Sequence, residues 1–170
     1  QALNLIIGEI KFYMAIQKHD GFADIKIDGP KRSVSNKKLK KILTKQFTNK
    51  TTAQKELNKD FMEIVQLNAG KWSLAAVVEI AKSYDNWSET VKNSYVPEFE
   101  GISEQQDIYK MQMEDRAFPI REKAIVFYKR ALDEAYKINL YTKATAYSTR
   151  RLGELKPAEF TQLEEMVLEK

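Results

Sequence analysis

The chain contains no cysteine. That excludes disulfides, thiolate nucleophiles and cysteine-ligated zinc. A single histidine, His19, has no second histidine to share a metal with. Only 6 glycines and 4 prolines interrupt 170 residues, so regular elements should run long and turns should be few. The glycines are isolated, which rules out a phosphate-cradling loop. Val, Ile and Thr do not alternate in runs, so strands are scarce. No apolar stretch approaches the roughly 18 residues of a membrane span. The longest, Leu74 to Ala81, is broken by Glu79. No signal peptide is visible. The chain opens at Gln1, without Met and within helical periodicity, which reads as a processed or excised piece of a longer protein.

What is present describes a globular helical protein. Hydrophobic residues make up 43% and charged residues 31% of a chain long enough to bury a substantial core. The reading is an all-α single domain of about seven helices over residues 1–170. The stretch that organises it runs from Ala117 to Tyr136. Its apolar positions at Ile120, Ala124, Phe127, Tyr128, Ala131 and Ala135 keep helical spacing. Small and large residues alternate within that stripe, so a second helix can approach the alanines while the aromatics fill the grooves beside them.

Around this hub, residues 2–18 form a first helix, apolar almost all round and so expected to pack on more than one side. Residues 22–30 form an extended segment across the helices. Ser33-Val34-Ser35 caps a long helix whose buried side runs from Leu39, Ile42, Leu43 and Phe47 to Phe61 and Ile64. Its middle, Thr48 to Thr52, has poor helix formers and is a place to fray or bend, but carries no stop signal, so the helix continues to Ala69-Gly70. Residues 71–93 carry two apolar stripes, one with Val77, Val78 and Tyr84 and one with Trp72, Ala76, Ile80 and Trp87, which predicts a central helix covered on both sides. Ser103 with Gln106 is a capping box. Pro119 predicts a kink or a restart. Asn139 closes the hub helix. Tyr141 to Leu155 form the next, with Ala144, Ala146, Tyr147 and Leu152 inside, and Pro157 starts a terminal helix through Leu168.

Candidate functional residues fall into four groups. His19 beside Asp20 reads as a helix C-terminal or surface residue rather than a ligand or base. Glu114, Asp115 and Glu122 read as solvated surface rather than an acid–base pair, since neighbours on a helix point to different sides. The aromatics Trp72, Tyr84, Trp87 and Tyr95 are core residues at helical spacing or, in the functional reading, line a peptide groove. Tyr84, Trp87, Tyr95 and Phe99 are the partner-binding candidates. The segment Tyr95 to Ile102 is too apolar for an ordinary loop, and either plugs the core with Phe99 or walls the groove. The last group is basic. Lys31, Arg32, Lys37, Lys38, Lys40, Lys41 and Lys45 lie close together, and the first sixty residues hold a net charge of +7 against −3 for the remainder. A solvated helix face is favoured over a nucleic-acid or anionic membrane surface, because arginine forks and exposed aromatics are few here.

Ala124, Tyr128 and Ala131 have the small–aromatic–small spacing of the second helix of a tetratricopeptide repeat, and Ala81 with Tyr84 match its first helix. The regular repeat period is not kept, because Tyr95 to Gln106 is too long for it. A more specific resemblance covers roughly residues 9–162. Trp72 with Ala75-Ala76, Tyr84, Val96-Pro97, Tyr109, Ala117-Phe118-Pro119, Glu122-Lys123-Ala124, Tyr128, Ala131-Leu132 and Leu155-Lys156-Pro157 together resemble the C-terminal helical region of large tetratricopeptide-repeat proteins of deltaproteobacteria, some linked with gliding motility. That resemblance implies a right-handed stack of antiparallel helix pairs. It also implies a protein-binding scaffold in a periplasmic or envelope assembly, without cofactor, metal or catalytic residues. The alternative from another class is an electrostatic binder acting through the Lys31–Lys59 region.

Overall fold

The computed structural model describes residues 2–98 and 103–160. Five α-helices account for most of them: α1 (Ala2–Lys18), α2 (Asn36–Gln66), α3 (Lys71–Lys92), α4 (Ser103–Lys137) and α5 (Lys143–Leu155). A short 3-10 turn, Phe22–Asp24, leads into the extended segment between α1 and α2. There is no strand among the described residues.

Consecutive helices run antiparallel, as side-chain bonds between them record. Asn4 reaches the Leu67 carbonyl, Lys11 pairs with Glu63 and Lys18 with Asp60, so α1 descends as α2 rises. Ser73 bonds the Ile64 carbonyl and Asn58 the Tyr84 hydroxyl across α2 and α3. Ser88 donates to the Ala117 carbonyl while Tyr84 stacks on Phe127, which orients α3 against α4. Tyr128 meets Tyr147 and Glu122 meets Lys156 at the return through α5.

α3 is the axis of this arrangement. It contacts α1, α2, α4, α5 and the 3-10 turn. Its expected stripes are buried at Leu74, Ala76, Val77, Val78, Ile80, Ala81, Tyr84 and Val91, and half-buried at Trp72, Ala75 and Trp87. The hub stripe of α4 meets it, with Ala124, Tyr128 and Ala131 wholly inaccessible. The absence of side-chain bulk at the alanines lets α4 approach α3 closely while the Tyr128 ring fills the space beside them.

Four expectations are corrected by this packing. α4 neither ends nor restarts at Pro119, which lies inside one continuous helix. Met113 and Ala117 before the proline and Ala124 after it are all buried, so packing spans the lost backbone bond. α2, by contrast, runs as the one long helix expected: it passes unbroken through Thr48 to Thr52, where Lys50, Gln54 and Leu57 anchor its middle in the interior. α1 packs on one side only: Gly8 and Ala15 are buried, whereas Leu3, Ile6, Ile10, Tyr13 and Met14 are exposed. Gly8 marks the contact, since a β-carbon there would collide with Ala69. α5 buries Thr145 and Ser148 alongside Leu152, and leaves Ala146 exposed. Thr145 sits inside because it closes a capping box with Thr142. The described start of the C-terminal segment, residues 157–160, is a turn, and the rest of the expected terminal helix lies outside the described residues. The helix count is therefore five among the described residues.

Other boundaries agree with the periodicity. Asn139 adopts a left-handed backbone just past α4, the C-terminal stop that asparagine tolerates. Ser35 stands at the N-cap of α2, though its side chain makes no capping bond.

Candidate functional site

α2 has 31 residues and α4 has 35, against 22 in α3. Both flanking helices overshoot the end of the helix between them. The N-terminal halves of α2 and α4 therefore stand apart with no third helix separating them, and a groove of about 1520 Å³ lies there.

α2 forms the longer wall through two adjacent rows. Leu39, Leu43 and Phe47 recur every four residues and are half-buried. Beside them run Lys40, Thr44, Thr48, Thr51 and Lys55, which put hydroxyls between two ammonium groups. α4 supplies Gln105, Tyr109 and Arg116. Burial raises the Tyr109 hydroxyl above its ordinary range, with the Arg116 charge acting against it.

The floor comes from two connecting segments latched together. The Tyr95 amide donates to the Ile27 carbonyl at 2.7 Å, and the Gly29 amide donates to Oε1 of Gln46 on α2 at 3.1 Å. Gly29 has a φ of +70°, and a β-carbon there would enter the Tyr95 ring. Glycine is thus required twice at this position, by backbone conformation and by contact. The latch seats Tyr95 in the groove beside Pro30, Val34 and Pro97.

The charge on the groove is one-sided. Among the described residues, Lys31, Arg32, Lys40, Lys55 and Arg116 line it against a single carboxylate, Glu98. All five cations are exposed, and none pairs with a carboxylate among the described residues. This is a surface with apolar body and cationic edges, suited to holding an anionic molecule that also carries apolar groups.

The expected site residues distribute as follows. Tyr95, Lys31, Arg32 and Lys40 line the groove. Lys37, Lys38, Lys41 and Lys45 are exposed elsewhere on α2, outside it. Tyr84 is buried, accepts from Asn58 and stacks on Phe127 with centroids 5.6 Å apart, so the core consumes it. Trp87 is half-buried against the core cluster and lines neither cavity. Phe99 lies outside the described residues. Lys55, Tyr109 and Arg116 were not singled out as groove residues by sequence. Leu39, Leu43 and Phe47 were expected on the buried side of α2, and their four-residue spacing beside a threonine row was the available signal.

A second, smaller cleft of about 540 Å³ opens between the end of α1, α3 and α5. Several of its charges are paired within the protein. Arg151 binds Asp85 through two nitrogens, at 2.6 and 3.0 Å, and Glu154 through a third. Lys82 pairs with Glu79. His19, which lines the same cleft, is not a surface residue: its side chain is only 9% accessible and its Nε2 is 2.8 Å from Oδ2 of Asp60. Burial pushes the Asp60 carboxyl up, but hydrogen bonds from Lys18 and His19 outweigh it and hold it below the usual carboxylate range. Glu114 and Asp115 are exposed and Glu122 is half-buried, Glu114 pairing with Lys92 and Glu122 with Lys156. Among the described residues, no group of three His, Asp or Glu side chains is placed to hold a metal ion, and no helix is long and apolar enough to cross a membrane.

No family model, curated protein or solved structure matches the chain.

Proposed function

We propose that this protein is a non-enzymatic interaction module that holds a segment of a partner protein in the groove between α2 and α4. The observation that carries this reading is the joining of an apolar floor with a cationic rim that pairs with no carboxylate among the described residues, in one open cavity. Tyr95 takes the partner-binding role within it. In the smaller cleft Arg151 is joined to Asp85 and Glu154 and Lys82 to Glu79, so much of its charge is engaged within the protein. The antiparallel succession α2, α3, α4, α5 supports a tetratricopeptide-like stack of helix pairs, with the hub alanines at the small positions of such a repeat. Assignment to a larger envelope assembly rests on the resemblance of residues 9–162 alone.

Selection of peptides from a random library against the whole chain tests the reading. Peptides are expected whose binding is lost on Leu43→Glu in the groove and kept on Lys37→Glu outside it. If no peptide is selected, or if the selected ones ignore Leu43→Glu, the groove is not the site.

A second reading has its own observation. Lys37, Lys38, Lys41 and Lys45 crowd the exposed surface of α2 beyond the groove. In that case the protein binds nucleic acid or anionic membrane, and affinity falls steeply with salt.

A further inference from the structure

The cations of the groove are spread along its length and stand on both walls. On α2, Lys40 and Lys55 are fifteen residues apart, or about 22 Å along the helix. Arg116 stands on the opposite wall, on α4. Its level follows from the bonds that join both helices to α3. Lys50 of α2 meets Asn86, Ser88 meets the Ala117 carbonyl, and Lys92 pairs with Glu114. Both neighbours run antiparallel to α3, so Arg116 lies level with about Thr48 of α2. That is roughly 12 Å from Lys40 and roughly 10 Å from Lys55 along the groove. Between the two lysines the α2 wall carries Leu43 and Phe47, half-buried and about 6 Å apart, with Thr44, Thr48 and Thr51 alongside.

An extended chain advances about 3.3 Å per residue and turns successive side chains to opposite sides. Six steps cover about 20 Å, close to the distance from Lys40 to Lys55, and three steps cover about 10 Å. The first and seventh residues of such a segment therefore point to one wall, and the fourth points to the other. The geometry points to a partner segment of this form: extended, with aspartate or glutamate at its first, fourth and seventh positions and apolar residues at its third and fifth. This register rests on the groove reading above. The outer carboxylates meet Lys40 and Lys55, and the central one meets Arg116 across the groove. The third and fifth side chains, about 7 Å apart, lie on Leu43 and Phe47. Lys31 and Arg32, in the segment that leads into α2, add charge at the Lys40 end. A nucleic-acid strand fits less well. It brings a phosphate at every repeat, and those between the lysines would lie on Leu43 and Phe47.

The test uses the full chain and labelled seven-residue peptides, read by fluorescence anisotropy at physiological salt. The first peptide carries glutamates at its first, fourth and seventh positions, leucines at its third and fifth, and serines elsewhere. In the second the central glutamate is glutamine. The third has the composition of the first with its three glutamates side by side, and the fourth has serines for the leucines. The first is expected to bind at least about tenfold more tightly than any of the others. Arg116→Glu, at an exposed position, should remove the preference for the first peptide over the second and favour one with a central lysine, with unchanged circular dichroism. Lys55→Glu, also exposed, should weaken the first peptide yet keep its preference for the central glutamate. If the first three peptides bind alike and all are lost on Leu43→Glu, the register is overturned and the groove reading stands. The same holds if none of the four binds while library-selected peptides do and are lost on Leu43→Glu; if neither kind binds, both readings fall. If a single-stranded oligonucleotide binds more tightly than the first peptide and Arg116→Glu weakens it, a polyanion replaces the acidic segment as the occupant.

Discussion

Lys50 shows what a single residue can take on when the chain folds around it. Its side chain is wholly inaccessible. The ammonium donates to the Phe22 carbonyl at 2.6 Å and to Oδ1 of Asn86 at 2.5 Å, and lies over the Phe22 ring. One lysine in mid-α2 therefore ties the 3-10 turn to α3. Burial lowers it from 10.5 to about 8, with the charge of Asp24 acting the other way. The folded protein thus releases this proton at lower pH than the unfolded chain does. Between about pH 8 and 10.5 the unfolded state binds more protons, so stability rises with pH through that window. The expected gain is up to roughly 3 kcal/mol. Comparing urea midpoints of the protein and of Lys50→Met across this range isolates the effect, because the variant should lack the rise. Above about pH 10 the buried Tyr128 hydroxyl, which burial pushes up, works in the opposite direction in both proteins.

At the scale of the elements, the fold depends on how closely helices approach and on what ties them together. Ala131 is inaccessible at the α3–α4 contact. Ala131→Leu should overpack it and cost roughly 1–3 kcal/mol in chemical unfolding; an unchanged midpoint would mean that the contact relaxes freely. The docking of α5 depends on charge. Asp85 on α3 is buried and receives two bonds from Arg151 of α5 and one from the Tyr128 hydroxyl. Arg151→Ala leaves that carboxylate without a cation in the interior. The expected loss is roughly 2–4 kcal/mol, below that of a fully buried pair because the Arg151 side chain is partly exposed. Arg151→Met together with Asp85→Leu should recover part of it, and a double mutant as unstable as Arg151→Ala would show that the pair is not the cause.

At the scale of the molecule, the groove follows from unequal helix lengths. Residues that line it are half-exposed and do not complete the core around α3, so function and stability should separate there. Leu43→Glu is expected to lower the unfolding free energy by less than about 1 kcal/mol, while removing peptide binding. Gly29→Ala should do more damage, since it strains the backbone and displaces Tyr95.

The sequence by itself determined the class of the protein and most of its helices. Helical periodicity is a local property, and it marked α3 as the covered helix and Ala124, Tyr128 and Ala131 as the packed face before any neighbour was known. It allowed a restart at Pro119 that does not occur, because propensity weighs only the backbone while packing on either side holds the helix together. The basic cluster was also legible, but not its division. Only the tertiary structure decided that Lys31, Arg32 and Lys40 turn toward Lys55, Tyr95 and Arg116 while Lys37, Lys38, Lys41 and Lys45 do not. It likewise decided that Tyr84 belongs to the core and that Lys50, one lysine among many, lies inside. The physical reason is common to these cases. A groove is the space left where α2 and α4 outrun α3, and its lining comes from residues as far apart as Pro30 and Arg116, whose meeting no local pattern encodes.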